Sequence, residues 1–114
     1  MPYIAINTSQ QLSDAQREKI KTEIGRLITI IPTKTEAGTM VDFCDCRTMY
    51  FAGKKVNGAF VELRLFRKSE FEPKKKFVEE LFNLLIQELG MTKDDIKFNI
   101  IELDEWGGGG TLRT

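Results

Sequence analysis

Proline follows Met1 directly, ahead of the strand-forming run Tyr3-Ile4-Ala5-Ile6, and that position opens a chemical possibility. An internal proline nitrogen is an amide and no base. If Met1 is trimmed, which processing enzymes allow when the next side chain is small, Pro2 becomes a secondary amine at the chain terminus. A terminal amine has an ordinary pKa of about 7.7–8.0, which suits general acid-base work near neutral pH. A structural reading stands beside this one. Proline lacks a backbone donor and is tolerated at the first position of a strand.

The remaining reactive side chains are few. Cys44 and Cys46 flank Asp45 in a predicted strand, where both thiols point to one face with Cα atoms ~6.6 Å apart. That separation is near the upper limit for a disulfide and the parallel side chains make it worse, so two free, partly buried thiols are expected. The chain has no histidine, and two thiols cannot complete a four-ligand set without Asp42 or Asp45, so no metal is expected. Glycines 107 to 110 read as a flexible tail, because no strand-to-helix context makes them a phosphate loop. No cofactor is expected. Lys74-Lys75-Lys76 opens a predicted helix and reads as a solvated face.

Composition narrows the partners. The 17 lysines and arginines balance 17 aspartates and glutamates, leaving no net field for nucleic acid or an anionic membrane. No apolar run approaches the ~20 residues of a membrane helix, and no basic region precedes an apolar stretch at the N-terminus. A cytoplasmic location is the expectation. The length of 114 residues suits one domain, set at 1–106, with residues 107–114 as a glycine-rich tail.

The elements that must position these groups follow from periodicity. Residues 2 to 8 read as a strand. Ser13 and Gln16 form a capping box, after which Ile20, Ile24, Leu27, Ile28 and Ile31 share one helical face until Pro32 stops it. Residues 39 to 46 form a second strand, followed by a short extended piece at Met49-Tyr50-Phe51 and a turn containing Gly53, Asn57 and Gly58. In the strand at 59 to 68, Ala59, Val61, Leu63 and Leu65 alternate with Phe60, Glu62, Arg64 and Phe66. A second helix takes Pro73 in its first turn, carries the stripe Phe77, Val78, Leu81, Phe82, Leu84, Leu85 and Leu89, and ends at Gly90. Residues 96 to 103 are the last long strand. The fold class is therefore α/β: two β-α-β units forming a four-stranded mixed sheet with both helices on one face. Phe60 and Phe66 make the second face apolar as well, which calls for self-association to cover it.

A Met-Pro start on a strand, two β-α-β units, Lys34 in "IPTKTE" just after the first helix, the turn Met49-Tyr50-Phe51-Ala52-Gly53 and Trp106 near the end occur in that order. This set resembles the tautomerase superfamily, more narrowly the macrophage migration inhibitory factors (MIF), across nearly the whole chain from Pro2 to Leu103. The resemblance implies Pro2 as the catalytic proline and Lys34 as a substrate-binding lysine. It also implies Phe66 as an apolar pocket residue, Asn99 as a group reaching the site from a neighbouring subunit, and Trp106 as a wall near the mouth. It further implies a homotrimer with inward-facing sheets and sites at subunit interfaces. Lys97 stands where the family usually has a tyrosine, with Phe98 one place later on the other face of the strand.

The implied activity is keto-enol tautomerisation of a small 2-oxo acid or similar carboxylate. An apolar pocket and a nearby cation both lower an amine's pKa, and Phe66, Trp106 and Lys34 would supply them. The alternatives are a non-catalytic MIF-like binding or signalling protein, or another Pro-dependent reaction such as decarboxylation or dehalogenation. Taken singly, Lys34 also reads as a solvated loop lysine, Asn99 as a satisfied strand residue and Trp106 as core.

Overall fold

The structure is a computed structural model that describes all 114 residues. Strand β1 (Pro2–Thr8) leads through helix α1 (Asp14–Leu27) to β2 (Met40–Cys44), and β5 (Ala59–Phe66) leads through α2 (Phe71–Leu89) to β6 (Ile96–Leu103). The β1–β2 and β5–β6 pairs are parallel, and β1 joins β5 antiparallel at the centre. The sheet order is thus β2-β1-β5-β6, the four-stranded mixed sheet that the two β-α-β units require.

Local chemistry sets the boundaries. Ser13 Oγ accepts the Gln16 N–H while the Gln16 side chain accepts the Ser13 N–H, which satisfies two orphan donors at the start of α1. A single 3₁₀ turn, Ile28–Ile30, carries the apolar stripe of α1 on to buried Ile31 before Pro32. Gly90 ends α2 at φ 63°, a left-handed conformation that glycine adopts without a Cβ clash. Both helices lie on one face, where Ile20, Ile24, Phe77, Leu81 and Leu85 close over Ile4, Ile6, Val61, Leu63 and Leu65.

The other face is mixed where an apolar one was expected. Phe60 and Phe66 lie at opposite ends of β5, with Glu62 and Arg64 between them. Tyr3 donates its hydroxyl to Asp42 at 2.7 Å, and Asn7 Nδ2 donates to Glu62 at 3.0 Å. Phe60, Ile101 and Leu103 stay exposed around this polar centre.

Three local expectations change. β2 ends at Cys44, because Cys46 turns at φ 59° and its N–H donates to the Gln10 carbonyl at 2.9 Å; both thiols are free, Cys44 partly buried and Cys46, carried out of the strand by that turn, exposed. Lys74 is buried, paired with Glu102 at 3.0 Å, while Lys75 and Lys76 remain exposed. The glycine-rich segment, read as a tail, is a hairpin of β7 (Trp106–Gly108) and β8 (Thr111–Arg113). Its turn places Gly109 and Gly110 at φ 60° and 83°, a two-residue reversal with positive φ at both centres that glycine accepts. A shorter hairpin, β3 (Tyr50–Phe51) with β4 (Lys54–Lys55), occupies the expected turn region. No helix is long and apolar enough to cross a membrane.

Candidate active site

The end of the sheet where β1 begins and β5 finishes gathers four of the five candidate residues. Pro2 is buried in the ladder opposite Leu65. The next β5 residue, Phe66, donates its N–H to the Met1 carbonyl at 3.3 Å. Phe66 also receives Lys34, whose Nζ donates to the Phe66 carbonyl at 3.0 Å. Lys34 is held there by the turn after Pro32, in which Thr33 takes φ 71°. At 8% exposure it is no solvated loop lysine. Trp106 covers the Phe66 ring, with centroids 6.2 Å apart and planes tilted by 40°.

Asn99 lies elsewhere within the chain. It pairs with Glu62 in the β5–β6 ladder, three residues along β5 from the level of Pro2 and Leu65, and it is exposed. Lys97 lies beside it on the same face, with Nζ 4.2 Å from the Phe51 ring centroid. Phe98 points the opposite way and stacks on Phe82 of α2 at 4.6 Å.

Two cavities flank Met1. One of about 520 Å³ includes Pro2, Tyr3, Arg64, Glu105 and Trp106 in its wall. The other, about 550 Å³, includes Lys34, Phe66, Arg67, Lys68 and Arg113. Met1 lines both and its side chain lies 3.6 Å from the place of a Cβ on Gly108, so it partitions what would otherwise be neighbouring space.

Sequence reasoning missed the arginines. Arg64 lies over the Tyr3 ring, 5.7 Å from its centroid, and Arg67 and Arg113 lie 4.8 and 5.9 Å from the Phe66 centroid. The alternation of β5 could have placed Arg64, which shares a face with Phe66. Arg113 required reading the glycine run as a hairpin turn. The hydrogen bond to Asp42, then burial and the Asp42 charge, push the Tyr3 hydroxyl up to about 12. Tyr3 therefore keeps its proton and serves as a platform for Arg64. Burial first, then the charges of Lys34 and Arg113, hold the Met1 amine below its ordinary value. An amine at this chain end thus sits in surroundings that favour its neutral, proton-accepting form.

Lys74, Glu102 and Ser69 steady the loop that carries Arg67 and Lys68. Glu102 accepts the Ser69 N–H at 2.6 Å and Lys74 Nζ at 3.0 Å. These bonds, the Ser69 one foremost, hold its carboxyl below the usual carboxylate range.

No protein-family model matches the chain, and no curated protein matches it in sequence. Solved structures do match it in shape. MIF2 of Leishmania major superposes with a TM-score of 0.92 at 20% identity, over 99% of this chain and 97% of that one. A structure of Pt0534 inactivated by 2-oxo-3-pentynoate gives 0.83 at 12% identity, over 95% and 93%. The R7 fused 4-OT wild-type asymmetric trimer gives 0.82 at 13% identity, over 96% and 94%. Likeness at these identities speaks for architecture, and on that ground the chain has the fold shared by the MIF proteins and the tautomerase superfamily.

Proposed function

We propose that the chain is a keto-enol tautomerase for a small 2-oxo acid or similar carboxylate, with Pro2 as general base and acid once Met1 is removed. The observation that carries this reading is a convergence on two adjacent residues. Pro2 faces Leu65 in the ladder, and Lys34 is bonded to the carbonyl of Phe66. The amine takes a proton from the carbon beside the keto group and returns it to the other end of the enol, a role worth about 10²–10⁴-fold. Lys34 holds the carboxylate or steadies the enolate oxygen as charge develops. Phe66 and Trp106 supply apolar walls that keep the amine neutral. A 2-oxo acid substrate agrees with the inactivation of Pt0534 by 2-oxo-3-pentynoate.

The same reading includes a homotrimer. The exposed Phe60, Ile101 and Leu103 around a polar centre would be covered by other copies, and Asn99 would enter a neighbouring copy's site. Light scattering at micromolar concentration should give three times the chain mass, and a monomer would remove Asn99 from the site.

The test of catalysis is turnover of phenylpyruvate by chain whose mass shows Met1 absent, against the same chain with Met1 or a tag retained. The first should be active and the second inactive, because acylation turns the base into an amide. Pro2→Ala, which keeps a primary amine, should retain part of the rate. Full activity with Met1 attached would falsify the role of Pro2.

A second reading has one observation in its favour. Arg64 and Glu105 line the same cavity as Pro2, and an arginine with an acid beside the proline suits decarboxylation or dehalogenation. Release of carbon dioxide or halide from a suitable acid, with no enol turnover, would select it.

A further inference from the structure

Three cations converge on Phe66: Lys34 at its carbonyl, Arg67 and Arg113 on its ring. Lys68 lines the same cleft. None of the four lies within 4.0 Å of a side-chain carboxylate, and Glu70, the acid in the cleft wall, makes no ion pair. Like charges so placed repel, and an entering anion relieves that repulsion.

The cations are not equivalent. Lys34 is committed to the Phe66 carbonyl, and Arg67 donates to the Thr114 carbonyl. The Arg113 side chain makes no hydrogen bond or ion pair within the chain. Its position is nevertheless fixed, because the β7–β8 register sets Arg113 opposite Trp106, which in turn packs on Phe66. The Gly109–Gly110 turn is what brings the two residues level.

We propose that Arg113 is a specificity-determining residue of the site, clamping the acid group of a bound 2-oxo acid from the side opposite Lys34 and so selecting carboxylates over neutral enols. The inference rests on the carboxylate reading of the cleft and deepens it. It assigns the C-terminal hairpin, and not only the sheet, to substrate selection.

Binding can be followed by the fluorescence of Trp106, the one tryptophan of the chain, separately from turnover. Phenylpyruvate and its uncharged methyl ester are titrated into chain whose mass shows Met1 absent and into its Arg113→Gln and Arg113→Lys variants processed in the same way. Arg113→Gln should weaken phenylpyruvate binding about tenfold, with the rise in KM exceeding any change in kcat and the affinity for the ester little altered. Arg113→Lys should recover most of the loss. Raised salt should erode the difference between acid and ester. Equal weakening of acid and ester would make Arg113 a prop for the hairpin, and unchanged acid binding would take it out of the site; either overturns the clamp. An acid-selective loss in a chain that binds without turnover supports the clamp while rejecting the tautomerase. Failure of the parent chain to bind either compound rejects both.

Discussion

Where β1 finishes and β5 begins, polar groups answer one another. Thr8 Oγ1 donates to the Gly58 carbonyl at 2.9 Å, the Gly58 N–H donates to Ser9 Oγ at 3.0 Å, and Asp45 accepts both the Leu12 N–H at 2.9 Å and Arg17 at 2.8 Å. The backbone there is so close that a Cβ on Gly58 would lie 2.6 Å from the Asp95 carbonyl oxygen. At the opposite end of the same strands, Lys34, Arg67 and Arg113 crowd one phenylalanine and none of them forms an ion pair with a side-chain carboxylate. The sheet is common to both ends, so the difference comes from the loops. The first end is finished by its own atoms. The second leaves its cations without side-chain acid partners, which is the ground for the proposed carboxylate site.

Lys34→Ala should break the contrast most severely. Loss of a charged hydrogen bond to substrate costs about 1.5–3 kcal/mol, or roughly ten- to a hundredfold in carboxylate affinity. Because Lys34 is buried and serves the Phe66 carbonyl, the same change should also lower stability by about 1 kcal/mol. Kinetics with phenylpyruvate and thermal unfolding measure the two effects, and an unchanged KM would make Lys34 a purely structural residue.

Gly58→Ala probes the finished end. The added methyl must displace backbone, so unfolding in urea should show a loss of about 1–3 kcal/mol, with carboxylate affinity unaltered below the melting temperature. A matching loss of affinity would mean that the two ends are not independent.

The smallest effect concerns Tyr3, which lies beside Pro2 at the site end, on the open face. Its neutral form is favoured in the folded chain, so its contribution to stability is complete below the ordinary tyrosine pKa of about 10. That contribution is lost as pH rises through about 12. Phenolate absorbance should show a late step that Tyr3→Phe removes; a late step that survives the substitution would assign it elsewhere.

Much of the architecture was legible because burial imprints a period. The alternation of Ala59, Val61, Leu63 and Leu65 and the stripe through Phe77, Leu81 and Leu85 fix which face meets the helices, and the Ser13–Gln16 box fixes where α1 starts. The proximity of Pro2, Lys34, Phe66 and Trp106 was legible only through a family resemblance, since nothing local ties residue 34 to residue 66. Arg113 escaped because four glycines look alike in sequence, whereas only Gly109 and Gly110 occupy the turn and the others extend into β7. Lys74 escaped because its partner, Glu102, is on a distant strand. Long-range charge pairing leaves no periodic trace.

The hydrogen bond from the Phe66 N–H to the Met1 carbonyl bears on timing. An aminopeptidase must draw the first peptide bond into its own cleft in an extended form, and in the folded chain that bond is already stitched to β5. The excision of Met1 that the proposed function requires would therefore be a race against folding. The stitch cannot form until the ribosome has delivered β5, and at about 5–20 residues per second that leaves an interval on the order of several seconds during which the first residues of β1 have no partner. On the proposed role of Pro2, chain that folds before it is processed, as after refolding from inclusion bodies, would be trapped with the Pro2 nitrogen still an amide. Preparations of identical sequence would then differ in activity according to how they were made.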